Sequence, residues 1–300
     1  MRCLNLKLTY DCTNRCSFCF SSCLKDEVIG EDGLLREVER GYQRGCRELV
    51  LSGGEPTLRP DTLRRVMERA DELGYQKYII QTNGSGLVDH AELVPMLGGL
   101  SERADVSVSF SVHGHTAQIH DEMSRTPGAF EKLMRAIRRV REETGCGIFT
   151  NTVISRTNLP WLRELALTLL PFQPEIIQFS MMHLKEPGPL STGLLEAAGA
   201  VRALAGTVDR SILRTEGIPY CLLYGMETCV GESYWPNTLD LYNRDAELMP
   251  DFDQLAHGMR WKRPDCQSCV MNEICMGIWR EHAEEFSRSD ARPIREGGRS

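Results

Sequence analysis

The sequence predicts an α/β protein built on a parallel sheet. Three observations carry that reading. Short strand-type runs alternate with longer helical ones; Gly, Pro and Asn-Gly turns separate them; and six such strands follow one another between Cys3 and Ser180.

Cys3–Thr9 sets Leu4, Leu6 and Leu8 against Asn5 and Lys7, the period-two pattern of a strand. Leu34–Arg44 has helical periodicity and leads into the apolar run Glu48–Leu51. Pro60–Leu73 reads as a helix with proline in its first turn, where no N–H is needed. Lys77–Gln81 is a strand closed by the turn Asn83-Gly84. Asp105–Val112 alternates serine with valine or phenylalanine, and Thr126-Pro127-Gly128 precedes the amphipathic run Ala129–Glu143. Ile148–Ile154 and Glu175–Ser180 are two further strands, with Leu159–Leu170 as the helix between them. Strands separated by helices pair in parallel through right-handed crossovers. The sheet closes as a barrel or stays open and doubly wound. In both cases the chemistry belongs at the C-terminal strand ends.

Pro187-Gly188-Pro189 breaks this rhythm, so a boundary is expected near residue 190, dividing 1–190 from 191–300. One helix, Leu194–Leu204, follows, and the remainder reads as loop. Arg288–Ser300, rich in Arg and Gly, reads as a loose solvated tail.

The chain has 300 residues, a net charge of −7, 41% apolar and 26% charged residues. These are globular proportions and exclude wholesale disorder. The acidic balance argues against a nucleic-acid partner, which needs a basic face. No run approaches the roughly 20 apolar residues of a membrane span, and the N-terminus lacks a signal peptide's apolar segment. A cytoplasmic protein with reduced thiols is therefore expected.

Its 12 cysteines need an explanation, and their bunching supplies one. Cys12, Cys16, Cys19 and Cys23 crowd the start; Cys266, Cys269 and Cys275 crowd the end, with Cys221 and Cys229 upstream. Cys3, Cys46 and Cys146, in or beside strands, read as small core residues. Three thiolates in the short loop Cys12–Cys19 can wrap one face of an iron–sulfur cluster and leave one iron open. A zinc knuckle, a redox dithiol, or closure of the site by Cys23 are the alternatives.

The spacing C-x3-C-x2-C, with Phe18 before the last cysteine, resembles that of the radical S-adenosylmethionine (SAM) superfamily. Ser52-Gly53-Gly54-Glu55-Pro56 after the second strand resembles that family's G-G-E-P stretch. Gln81-Thr82-Asn83-Gly84, Ser109-Phe110-Ser111-Val112-His113-Gly114, Asn151-Thr152-Val153 and Gln178-Phe179-Ser180-Met181-Met182 resemble its later strand ends. The resemblance implies a partial (β/α)6 barrel followed by a small cysteine-rich extension. It implies a SAM-binding 4Fe–4S cluster on Cys12, Cys16 and Cys19. SAM contacts would come from Phe18, Gly53, Gly54, Glu55, Ser111, Asn151 and Met181. His113, His115 and His120 form no metal triad by spacing and read as turn and hydrogen-bonding residues.

Cys266-x2-Cys269-x5-Cys275 resembles the twitch or SPASM extension that houses auxiliary 4Fe–4S clusters. The fuller pattern's next cysteine is replaced by Trp279 and none follows Cys275, so a single auxiliary cluster is implied. Its ligands would be Cys266, Cys269, Cys275 and Cys221, with Cys229 competing for the fourth place and a zinc ribbon as the alternative. The implied activity is reductive cleavage of SAM to a 5′-deoxyadenosyl radical that takes hydrogen from a substrate. That substrate would be a peptide, or else a small metabolite or nucleotide, and a reduced donor such as flavodoxin or ferredoxin would supply the electron. The barrel starts with the first residues, so neither an N-terminal peptide-recognition domain nor a cobalamin segment is expected. An iron–sulfur electron-transfer protein or zinc-binding scaffold without SAM turnover stands as the reading from another class.

Overall fold

Six strands lie side by side in sequence order and run parallel: β1 (Arg2–Thr9), β2 (Cys46–Gly53), β3 (Lys77–Thr82), β4 (Asp105–Ser111), β5 (Gly147–Ile154) and β6 (Ile176–Met181). They are the six that the sequence predicts. The computed structural model describes residues 2–19, 30–183, 188–234, 238–242, 248–249 and 258–295.

The sheet continues past residue 190 at both edges. β7 (Leu213–Glu216) extends it in parallel beside β6. β8 (Thr238–Tyr242) pairs in parallel with β1 on the opposite edge, and β9 (Leu248–Met249) closes that edge antiparallel. Residues on both sides of the expected boundary thus build one sheet. A separate two-stranded ladder, β10 (Arg260–Trp261) with β11 (Ile278–Trp279), anchors the cysteine-rich loop.

Helices cover one face of the sheet: α1 (Glu31–Gln43), α2 (Pro60–Leu73), α3 (Ser85–Asp89), α4 (Leu93–Ser101), α5 (Ala117–Ser124), α6 (Ala129–Glu143) and α7 (Leu162–Leu169). α8 (Leu194–Ala203) and α9 (Ala283–Arg288) follow. None of the described helices is long and apolar enough to cross a membrane. α6 shows why these segments dock: Leu133, Ala136, Ile137 and Val140 recur at helical spacing and are buried. Burial of each large side chain among them is worth about 1.5–3 kcal/mol.

The strands largely alternate. Leu4, Leu6, Leu8, Leu49, Leu51, Tyr78, Ile80, Val108, Phe110, Ile177 and Phe179 are buried under the helices. Many of the intervening positions are polar, among them Asn5, Lys7, Ser52, Gln81, Ser109, Ser111, Asn151, Gln178, Ser180 and Glu216, while Val50, Ile79, Phe149 and Val153 are apolar. Parallel sheets usually bury both faces and are apolar throughout. Here the inner face is a polar lumen, and the helix side holds the core. Cys46 and Cys146 lie in that core, and Cys3 is buried on β1.

Two further features depart from the sequence reading, besides the strands after Leu204 in a stretch read as loop. α4 contains Pro95, Gly98 and Gly99, poor helix formers, yet forms because Leu93, Val94, Leu97 and Leu100 are buried. The expected loose tail is docked up to residue 295. Ala291 and Ile294 are buried, and the Ile294 N–H points at Cys269 Sγ, 3.4 Å away.

Candidate active site

The loop after β1 carries Cys12, Cys16 and Cys19, all half-buried and none in a disulfide. Neighbouring elements pin it on two sides. Arg15 N donates to Ser124 O (2.9 Å) and Ser17 N to Met123 O (3.1 Å), tying it to the end of α5. Asn83, after β3, donates through Nδ2 to Thr13 Oγ1 (2.9 Å) and approaches Cys12 Sγ at 3.6 Å. Asn14 N also points at Cys12 Sγ, 3.4 Å away. N–H contacts of this kind to cluster sulfurs tune cluster potentials. Cysteines on a held loop with N–H donors to sulfur fit a cluster site. Cys23 lies outside the described residues.

The end of β2 is pressed against this loop. Gly54 N donates to Thr9 O (2.6 Å) and Glu55 N to Asp11 O (2.7 Å). A Cβ on Gly53 would fall 2.2 Å from Thr9 O, and one on Gly54 2.1 Å from Asp11 O. Gly53 also has φ +129, a region L-residues avoid. The glycine pair is what lets the two chain segments touch.

The Glu55 carboxylate is fully buried and committed to the protein itself. Its Oε1 accepts from Thr57 N (3.1 Å), Thr57 Oγ1 (2.6 Å) and Thr82 Oγ1 (2.7 Å), and its Oε2 from Asn83 N (2.7 Å). Burial pushes this carboxyl above the usual carboxylate range, and these hydrogen bonds pull against it. The side chain is a clamp joining the ends of β2 and β3.

Ser111 and Asn151 are register partners on the lumen face. Asn151 Oδ1 accepts from Ser180 Oγ (2.7 Å). Met181 shares the parity of the helix-facing Ile177 and Phe179. It lines a cavity of about 600 Å³ with Met182, the start of α8 and α9, so the structure does not bring it into the lumen with Ser111 and Asn151. Phe18 meets His113, which is buried beyond β4. His113 Nδ1 takes the Val153 N–H (3.4 Å), and His120 Nδ1 takes the His113 N–H (3.1 Å). Asp121 accepts from Gly128 N (2.7 Å) and Phe130 N (2.9 Å), capping α6.

In the C-terminal region, Cys221, Cys266, Cys269 and Cys275 line one small pocket with Tyr220, Trp261 and Phe286. Gly277 N points at Cys275 Sγ (3.3 Å), as Ile294 N does at Cys269 Sγ. Burial pushes the Cys266 and Cys275 thiols up. Cys229 is fully buried elsewhere, its Sγ turned to Arg210 O at 3.9 Å. Trp279 is stacked between the Arg260 guanidinium (3.4 Å) and the His183 ring (4.3 Å). Among the described residues, no three Cys, His, Asp or Glu side chains converge closely enough to hold a single metal ion.

A family model described as the radical SAM superfamily matches residues 6–165, more than half of the chain. The chain belongs to the radical SAM superfamily. Its sheet is that superfamily's partial barrel, and membership brings SAM and a 4Fe–4S cluster as cofactors. It is 26% identical over 162 residues to an AdoMet-dependent heme synthase of Oleidesulfovibrio alaskensis, covering 53% of this chain and 40% of that protein. It is 28% identical over 178 residues to mycofactocin maturase MftC of Mycobacterium tuberculosis, covering 55% and 40%. The matches thus span about 40% of the length of these curated relatives. Two solved structures share the fold. One is native anSMEcpe with bound AdoMet and Kp18Cys peptide, with a TM-score of 0.68 and 17% identity over 97% of this chain and 92% of that one. The other is Streptococcus suis SuiB bound to S-adenosylmethionine, with a TM-score of 0.70 and 15% identity over 94% and 74%.

Sequence reasoning passed over several polar residues of this radical SAM barrel. Lys7, Gln178 and Glu216 face the lumen, and the signal for them was present: polar residues alternating through strands of a parallel sheet.

Proposed function

We propose that this chain is an enzyme that uses SAM and one electron to take a hydrogen atom from a substrate, with a peptide as the favoured substrate class. One observation carries the reading: the Cys12–Cys19 loop is held against the Gly53-Gly54 turn at the C-terminal ends of a parallel sheet. When bound there, a 4Fe–4S cluster with an open iron and SAM would supply reductive cleavage to methionine and a 5′-deoxyadenosyl radical. Cys12, Cys16 and Cys19 would hold the cluster. Asn83 and the Asn14 N–H steady the Cys12 sulfur, and Gly53 and Gly54 leave room for a ligand's polar end. Phe18, Ser111 and Asn151 are the proposed further SAM contacts; Met181 lines the separate cavity beside α8 and α9 and is left out of that set. The polar lumen gives the substrate a place beside them, and the surrounding barrel limits access of bulk water.

A second, auxiliary 4Fe–4S cluster is assigned to Cys221, Cys266, Cys269 and Cys275, which share a pocket that Cys229 does not enter. Four thiolates would make it an electron conduit, as oxidation of a peptide requires. Similarity to a peptide-bound structure over 97% of the chain, C-terminal region included, supports the peptide reading. A small metabolite is the second reading, favoured by the likeness to a heme synthase over 53% of the chain. A reduced flavodoxin or ferredoxin would deliver the electron.

The test is anaerobic reconstitution followed by SAM and dithionite. Roughly eight irons per chain and formation of 5′-deoxyadenosine are expected. Replacing Cys12, Cys16 and Cys19 by alanine should abolish that product. A reconstituted wild type that yields none would rule the enzyme reading out.

A further inference from the structure

The lumen face holds an ammonium group with no acidic partner among the described residues. Lys7 Nζ donates to Ser52 Oγ at 2.9 Å. Ser52 Oγ in turn donates to Asn5 Oδ1 at 2.6 Å. The serine is therefore fixed at both ends and holds the lysine in one place. An ammonium has three N–H donors, and this contact uses one. Burial alone pulls Lys7 down to about 8, so it remains largely charged at pH 7. Lys132 shows the ordinary arrangement, an exposed ion pair with Asp89 at 2.8 Å. A partly buried cation with no opposite charge beside it among the described residues is unfavourable unless a ligand supplies one.

Its position separates it from the proposed cosubstrate contacts. Lys7 pairs in register with Ser52, one step before Thr9 meets Gly53. It thus lies one inward-facing position deeper than the glycine turn and the cysteine loop. Across the lumen, on β7, the Glu216 carboxylate lies 3.0 Å from Ser180 Oγ and accepts from Gln178 Nε2 (3.3 Å). The chamber therefore has a cationic side and an anionic one.

We infer that Lys7 is the anion-recognition residue of the lumen and binds an oxyanion group of the substrate, a carboxylate or a phosphate, with Ser52 and Asn5 fixing its position. The Glu216 side suits an ammonium or N–H group of the same molecule, so an amino-acid-like or peptide moiety fits both. This rests on the proposed function in one respect, that the lumen receives the substrate.

Lysine acetylation of the anaerobically loaded protein tests it. The protein is treated at pH 8 with N-hydroxysuccinimidyl acetate, and each lysine is followed by peptide mass spectrometry. The additions are succinate, inorganic phosphate, SAM, or none. Without additions, the acetylation rate of Lys7 sets the reference, with exposed Lys132 as the internal control. Succinate or phosphate should slow Lys7 about fivefold or more and leave Lys132 unchanged. No protection by either anion, or equal slowing at both lysines, would overturn the inference. Protection by SAM and by neither anion would place Lys7 in the cosubstrate site and overturn it equally. Acetylation is read whether or not SAM is cleaved, so this result and 5′-deoxyadenosine formation fail independently.

Discussion

The ring of His113 meets that of Phe18 edge-on, with centroids 4.7 Å apart and planes at 76°. His113 in turn stacks on His120 at 5.8 Å, so the aromatic residue between Cys16 and Cys19 rests on a buried imidazole pair. Burial holds both rings neutral, His113 down to about 3 and His120 to about 4. Unfolded, each titrates near 6.5. Below about pH 6.5 the unfolded chain therefore binds more protons than the native one, and stability falls as pH falls. The limit is about 1.4 kcal/mol per pH unit for each group, reached between the two pKa values. Urea midpoints should be level from pH 8 to 7 and decline from 6.5 to 5. His120→Asn keeps an acceptor for the His113 N–H and should show a shallower decline; an identical slope would assign the acid sensitivity elsewhere.

Iron content separates the two candidate fourth ligands of the C-terminal pocket. Cys221→Ala should lose about four irons per chain while 5′-deoxyadenosine formation survives. Cys229→Ala should keep its iron, because that thiol is buried away from the pocket against Arg210 O. The reverse result would mean that the pocket rearranges on loading.

Gly54→Ala places a methyl group where Asp11 O already lies, 2.1 Å from the ideal Cβ. Relief requires movement of the segment leading into Cys12. Loss of the first cluster is expected, together with several degrees of melting temperature. A variant that loads iron and cleaves SAM normally would show that the turn tolerates a wider gap.

Glu55→Gln tests whether this carboxylate is a clamp or a ligand. As a clamp it accepts four hydrogen bonds, and the amide must turn an N–H towards donors such as Asn83 N. The expected loss is about 1–3 kcal/mol of stability with little change in SAM affinity. A large fall in SAM affinity at unchanged stability would reverse that assignment.

Much of this architecture was legible because strong local patterns agreed with the tertiary fold. Pro60–Leu73 and Ala129–Glu143 form helices with the boundaries their periodicity predicts. The cysteine triplet and the Gly-Gly turn were visible because their spacing is local. Less was legible where long-range packing overrides local preference. α4 forms despite two glycines and a proline, and β7, four residues long, is defined by pairing with β6. The role of Glu55 was hidden for the same reason. Its partners Thr82 and Asn83 lie 27 and 28 residues away. Ile294 reaches Cys269 across 25 residues, so a segment that reads as a solvated tail becomes part of a wall.

That wall imposes an order of construction. Cys12, the Gly53-Gly54 turn and Asn83 precede β4 to β9 in the chain, so the parts of the N-terminal site can meet while later strands are still to be made. The C-terminal pocket draws on Cys221 and is closed by Ile294, so it can be completed only after Ile294 has been made. Nascent chains halted after β6 should contain the first cysteine loop in place and no second pocket, making the two sites products of different moments in the life of one molecule.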